Sequence, residues 1–288
     1  MSDLQVAVYV APPIPLPGSQ GDSWSPISCT LIYSSHDAIL VDTPLTIKQS
    51  EELIEWIEKI APNRKLSYIY ITHGHGDHFF GVPVILKRFP NAVPVATRKV
   101  LEHMKQQVEK NIFKNMWELR FPGQIYQPQL SPLASILPES GKFRLENRWV
   151  FEAIECGHSD TYDSTVLWVP DLKLAVCGDV VYGKVHQYLF EANNEEKRKA
   201  WIQAIEKVEA LGPLYVVPGH KQSGELDGIW HLSATKKYIL DFEDIIKSNP
   251  KDSREVFRKM MELYGDRFNP SALKLSCKGA IVAKESHI

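Results

Sequence analysis

The stretch Ile71-Thr72-His73-Gly74-His75-Gly76-Asp77-His78 constrains this chain more than any other, because it sets three imidazoles and a carboxylate within six positions directly after an apolar run. That density needs a cause. Neutral imidazole is the commonest side-chain ligand for zinc, and carboxylate oxygen binds the same ion at roughly 2.0–2.2 Å. The two interleaved glycines permit a tight loop, so residues close in sequence can face two different ions. Three more candidate ligands each stand just past a strand-like run and beside a glycine. His158 lies in Cys-Gly-His-Ser, Asp179 in Cys-Gly-Asp and His220 in Pro-Gly-His. A rigid sheet presents side chains at its edge in this way. Taken singly, each histidine reads more readily as a surface or core residue; taken together the seven read as a metal site.

The surrounding pattern gives these loops a frame. Residues 5–10, 29–33 and 38–42 read as strands separated by Pro, Gly and Ser clusters, and Thr46 to Ile60 carries the apolar stripe of an amphipathic helix stopped by Pro62. Leu66 to Thr72 is a buried strand, Val82 to Phe89 a short helix and Val93 to Ala96 another strand. Arg98 to Arg120 has helical spacing and is expected to form a long helix or a helical pair. Residues 121–140 hold Pro122, Pro128, Pro132 and Pro138, too many for regular structure. Strands resume over 143–177 and 214–217, with helices at 195–210, 230–247 and 252–264; the last dozen residues are expected to fray. Two β-rich halves that each carry helices predict an α+β chain folded as a four-layer αβ/βα sandwich. We read 1–288 as one domain, with 98–140 as an insertion that serves as lid, core or dimer contact, and 230–264 as C-terminal helices.

Composition narrows the function classes. Hydrophobic residues make up 44% of the 288 and charged residues 24%, with a net charge of −2, so no basic surface announces nucleic acid or an anionic membrane as partner. No run of 18 apolar residues predicts a membrane span. Four cysteines without a CxxC pair fit reduced thiols in the cytoplasm. A small-molecule substrate is therefore expected, and a homodimer is the assembly that general frequency favours.

The His-x-His-x-Asp-His segment with a later His, Asp and His resembles the metallo-β-lactamase superfamily, over residues 30–220 or so. That resemblance implies a pair of zinc ions, with iron or manganese as alternatives. His73, His75 and His158 would hold the first, Asp77, His78 and His220 the second, and Asp179 would bridge them; Asp42 would orient the metal-binding loop. β-Lactamases of this fold commonly have Cys where this chain has Asp179, so the bridging aspartate points to the wider hydrolase branch of lactonases, glyoxalase II-like thioesterases and nucleases. The general pattern is also similar to fungal lactamases that open benzoxazolinone-type rings, a detoxifying reaction on a xenobiotic.

The activity so implied is ring opening of a lactam or cyclic carbamate by water activated between the metals. Lactone or thioester hydrolysis is the alternative, and an iron-dependent redox reaction a more distant one. Asp77 would carry a proton to the leaving group, and Tyr182 would either donate to the developing oxyanion or simply pack. Met104, Phe113, Met116, Trp117, Phe121 and Tyr126 would line an apolar pocket or fill core. His186 and His231 read as surface or pocket-rim residues, and His36, His103 and His287 carry no motif support.

Overall fold

The order of strands follows from which runs are apolar on both faces. In the computed structural model, which describes residues 3–18, 21–126 and 133–285, Asp37–Val41 and Lys65–Tyr70 lie parallel at the centre of a six-stranded sheet. Gln5–Ala11 and Ile27–Tyr33 extend that sheet antiparallel on one side, and Val93–Ala96 and Ser135–Ile136 extend it in parallel on the other. A second sheet runs Tyr215–Val217, Leu174–Val176, Ser164–Val169, Trp149–Gly157, Lys142–Leu145.

The two sheets face each other across Ile39, Val41, Tyr70, Phe151, Leu167 and Val176, all buried. Helices cover both outer faces: Ile47–Ile60, Val82–Arg88 and Arg98–Val108 pack on the first sheet, and Glu195–Ala210, Trp230–Lys247, Ser253–Tyr264 and Pro270–Glu285 on the second. This is the expected four-layer αβ/βα sandwich. The helix expected from Thr46 opens with a capping box, Thr46 accepting from the Gln49 amide while Gln49 reaches back to the Thr46 amide.

One local expectation is refined and one corrected. Arg98 to Arg120 forms the expected helical pair, but its second member is not a plain α-helix: Arg98–Val108 is followed by the short α-helix Lys110–Ile112, which continues as a π-helix over Phe113–Glu118. Its Trp117 indole donates back to Gln107 at 3.0 Å, which ties the wider turn to the preceding helix. The C-terminus does not fray over the described residues, because Leu273, Cys277 and Ala280 recur on one face of Pro270–Glu285 and are buried against the second sheet's helices. Pro128, Pro132 and His287 lie outside the described residues. No helix among the described residues is long and apolar enough to cross a membrane.

At one edge of the sandwich the sheets are stitched together. The Thr165 amide and hydroxyl both donate to the Thr72 carbonyl, at 2.9 and 2.6 Å, and the Ser28 amide donates to Gly219 at 2.8 Å. The loops that follow Lys65–Tyr70, Trp149–Gly157, Leu174–Val176 and Tyr215–Val217 all meet at this edge.

Candidate metal centre

Buried imidazoles need partners for both ring nitrogens, and here those partners decide which nitrogen faces inward. His78 Nδ1 lies 2.9 Å from Asp42 Oδ2, and His220 Nδ1 lies 2.8 Å from the Pro26 carbonyl. His73 Nδ1 meets Thr72 Oγ1 at 3.0 Å, and that hydroxyl donates onward to Asp42 Oδ2 at 2.7 Å. In all three, Nδ1 carries the proton outward and Nε2 presents its lone pair inward. His75 is reversed: Nε2 meets Glu191 Oε1 at 3.0 Å, and Nδ1 faces Asp160 Oδ2 at 2.9 Å.

Three groups of donor atoms result, each within 4.8 Å: His73 with His75 and Asp160, Asp77 with His78 and His220, and His73 with His78 and Asp179. Asp179 lies between the others, Oδ1 at 3.2 Å from His78 Nε2 and Oδ2 at 3.2 Å from His220 Nε2. Its position depends on two glycines. Gly178 is left-handed at φ +46°, and a Cβ there would stand 2.4 Å from Thr72 Oγ1; a Cβ on Gly219 would stand 2.3 Å from Asp179 Oδ1.

The donor set fits a metal. His73 Nε2, Asp160 Oδ2 and Asp179 Oδ1 are buried without a hydrogen bond, an arrangement costly unless a cation completes it. Charge is distributed accordingly. Burial, reinforced by His78, holds the His73 imidazole well below its usual range. Burial raises the Asp179 carboxyl, but His220 and His78 outweigh it and hold that group well below the usual carboxylate range. Burial lifts Asp160 to about 6. It also disfavours ionised Glu191, yet the adjacent His75 brings that carboxyl down to about 2.

Of the seven expected ligands, the structure brings together His73, His75, Asp77, His78, Asp179 and His220. His158 joins none of the three groups; it is only partly buried, and its Nδ1 faces the Ser159 carbonyl at 2.7 Å. Asp160, two residues on, stands beside His73 and His75 instead. The strand explains the change of residue: its register shifts between Glu155 and Gly157, where Gly157 adopts φ +89°, and a bulge re-aims whatever follows. Asp42 stands where it was expected, at φ +59°, accepting from the Thr72 amide, the Thr72 hydroxyl and His78.

Sequence reasoning missed Asp160, Glu191, Thr72 and Trp24. The Trp24 indole donates to Asp77 Oδ2 at 2.7 Å, and nothing local in Ser23-Trp24-Ser25 signals it. His186 and His231 are both buried: His186 meets the Tyr238 hydroxyl at 2.9 Å and lines the cavity beside the cluster, as one of its two expected placements had it, whereas His231, against the Leu226 carbonyl at 2.8 Å, is neither a surface residue nor part of that cavity. His103 is buried and stacked on Tyr162 with ring centroids 4.1 Å apart.

A cavity of about 100 Å³ opens above the cluster, with His75, Asp77, Asp160, Asp179 and His220 in its floor. Trp24, Met116, Trp117, Tyr188 and Leu275 form apolar walls, and Tyr182 and His186 also reach it. Of the insertion's apolar residues, Met116 and Trp117 therefore touch the cavity, while Met104, Phe113 and Phe121 are core and Tyr126 is exposed beside Lys87. The Tyr182 hydroxyl is engaged: it donates to Asp179 Oδ2 at 2.5 Å.

Among known proteins, metallo-beta-lactamase type 2 of Bacteroides fragilis is 23% identical over 215 residues, 74% of this chain and 76% of that protein. Hydroxyacylglutathione hydrolase 1 of Vibrio vulnificus is 31% identical over 99 residues, 32% of this chain and 38% of its own. The fold is shared with a metallo-beta-lactamase from Pontibacter korlensis (TM-score 0.57, 19% identity, 83% of this chain and 99% of that one). It is shared equally with metallo-beta-lactamase FIM-1 from Pseudomonas aeruginosa in the mono-zinc form (TM-score 0.56, 16% identity, 83% and 91%). The model of the Metallo-beta-lactamase superfamily matches residues 22–220, the span that contains every donor described above, and the chain belongs to that superfamily.

Proposed function

We propose that this chain is a two-zinc hydrolase that opens the ring of a small cyclic amide or carbamate. The observation that carries the reading is the combination of a donor-lined floor with aromatic walls in one cavity. Aromatic walls beside polar donors suit a flat ring that carries a carbonyl. Similarity to a metallo-beta-lactamase adds support for a lactam carbonyl.

The first ion would be held by His73, His75 and the Gly-His-Ser-Asp segment, the second by Asp77, His78 and His220, with Asp179 facing both. Zinc in such a donor set would supply a Lewis acid for the carbonyl and lower the pKa of bound water to about 7. The protein's own part is positional. Trp24, Trp117 and Tyr188 wall the ring and exclude bulk water, which strengthens every charge interaction on the floor. Asp77, steadied at Oδ2 by the Trp24 indole, carries a proton to the departing ring nitrogen. Tyr182 holds Asp179 through its hydroxyl, and the oxyanion role expected of it requires that bond to be exchanged.

Four buried free thiols accord with a reducing compartment, so we place the activity in the cytoplasm, as detoxification of a xenobiotic ring. One second reading has its own observation: the 31% identity with a hydroxyacylglutathione hydrolase over 99 residues favours a thioesterase. The test is turnover of benzoxazolinone, an acyl-homoserine lactone, a β-lactam and a glutathione thioester by wild type and His73→Ala. Opening of the cyclic carbamate or a lactam, abolished in the variant, supports the proposal. Turnover of the thioester alone moves the assignment to the second reading.

A further inference from the structure

We infer that Asp160, and not His158, completes the first metal site beside His73 and His75. The inference rests on the reading that the cluster holds metal, and concerns which residue of the Gly-His-Ser-Asp segment does the holding.

Asp160 is fully buried, and its two oxygens are used differently. Oδ1 accepts from the Ser159 hydroxyl at 2.9 Å, which fixes the carboxylate plane. Oδ2 makes no hydrogen bond, although it lies 2.9 Å from His75 Nδ1 and 3.9 Å from His73 Nε2. Close approach without hydrogen-bond alignment means that oxygen and nitrogen do not point along one another. Their lone pairs face a shared space, as ligands of one cation do. His73 Nε2 is orphaned in the same space.

The neighbours that orient a ligand are present for this pair as well. Glu191 Oε1 meets His75 Nε2 at 3.0 Å, and Glu191 Oε2 accepts from Thr161 at 2.6 Å, so one carboxylate braces both the histidine and the loop that carries Asp160. Ser159 is braced in turn by Ser164, the two hydroxyl oxygens lying 2.7 Å apart, and the Ser159 amide closes a tight turn on the Thr161 carbonyl at 2.7 Å. Rotating His158 inward would require opening that turn. An unpaired buried carboxylate is expensive, whereas a partly exposed imidazole is not, so the cation gains most from Asp160.

The experiment counts metal. Wild type, Asp160→Ala, Asp160→Asn and His158→Ala are dialysed against buffered zinc and analysed by mass spectrometry, then titrated with cobalt(II) while its visible spectrum is followed. Wild type is expected to hold two ions per chain, and His158→Ala to hold two with an unchanged cobalt spectrum. The Asp160 variants should fall to about one, with first-site affinity reduced by more than the roughly 10–100-fold that loss of an outer partner costs. Loss of one ion in His158→Ala overturns the inference, a result that stands even if the Asp160 variants fail to fold. Two ions with wild-type spectra in both Asp160 variants overturn it equally. Failure of wild type to bind zinc or cobalt overturns both this inference and the two-zinc reading, whereas the outcomes above leave the latter intact.

Discussion

Asp42 Oδ2 accepts at once from His78 Nδ1, at 2.9 Å, and from the Thr72 hydroxyl, at 2.7 Å, while that hydroxyl meets His73 Nδ1. One carboxylate thus sets the proton position on two imidazoles of the donor cluster, which also share a group with Asp179. Asp42→Asn keeps the shape but replaces one acceptor with a donor. We expect metal affinity to fall about 10–100-fold, with Tm of the metal-free protein changed little. Unchanged zinc affinity would mean that His73 and His78 keep their orientation without Asp42.

Tyr182→Phe separates two roles. The hydroxyl donates to Asp179 Oδ2, so its loss should loosen metal by about 10–100-fold and leave kcat at saturating zinc within roughly tenfold. A kcat loss of about 10²–10³ in fully loaded enzyme would instead identify an oxyanion donor.

Trp24→Phe removes the indole donor to Asp77 while keeping a ring against Trp117 and Phe121, both now 5.5 Å away between centroids. A hydrogen bond to a charged group contributes about 1.5–3 kcal/mol, so kcat should fall about 10- to 100-fold, more for poor leaving groups than for good ones. A loss independent of leaving group would dissociate Trp24 from proton delivery.

His186 supplies a pH signature away from the donor cluster. Burial, with Arg267 nearby and only partial compensation from Asp266, lowers its pKa from 6.5 to about 4. Above pH 6.5 the ring is neutral in folded and unfolded chains and contributes no slope. Between pH 6.5 and about 4 only the unfolded chain takes up the proton, so stability falls as pH drops through that window. The total is on the order of 3 kcal/mol. Urea unfolding of metal-free wild type and His186→Gln at pH 7 and pH 5 checks this. The variant should lose less stability on acidification, and equal losses would count against it.

Much of the fold was legible because both sheets are built from short apolar runs whose ends carry Gly and a polar residue, as at Gly178-Asp179 and Gly219-His220. The donors at those ends followed from the same signal, since a strand fixes the direction of the next side chain or two. Asp160 was not legible, because the bulge at Gly157 moves the inward position by two residues and no composition marks a bulge. Glu191 and Trp24 meet the site from 116 and 53 residues away along the chain. Only the closed sandwich juxtaposes them. The helix Pro270–Glu285 was hidden by the lysines and serines that interrupt its apolar stripe.

The central claim, metal-dependent opening of a small cyclic carbonyl ring, is tested most directly by following benzoxazolinone turnover in protein stripped with a chelator and then titrated with zinc. The expected result is no turnover in the stripped protein and recovery that levels off near two zinc ions per chain. Turnover that survives stripping, or a fully loaded protein that leaves the ring intact, would contradict it.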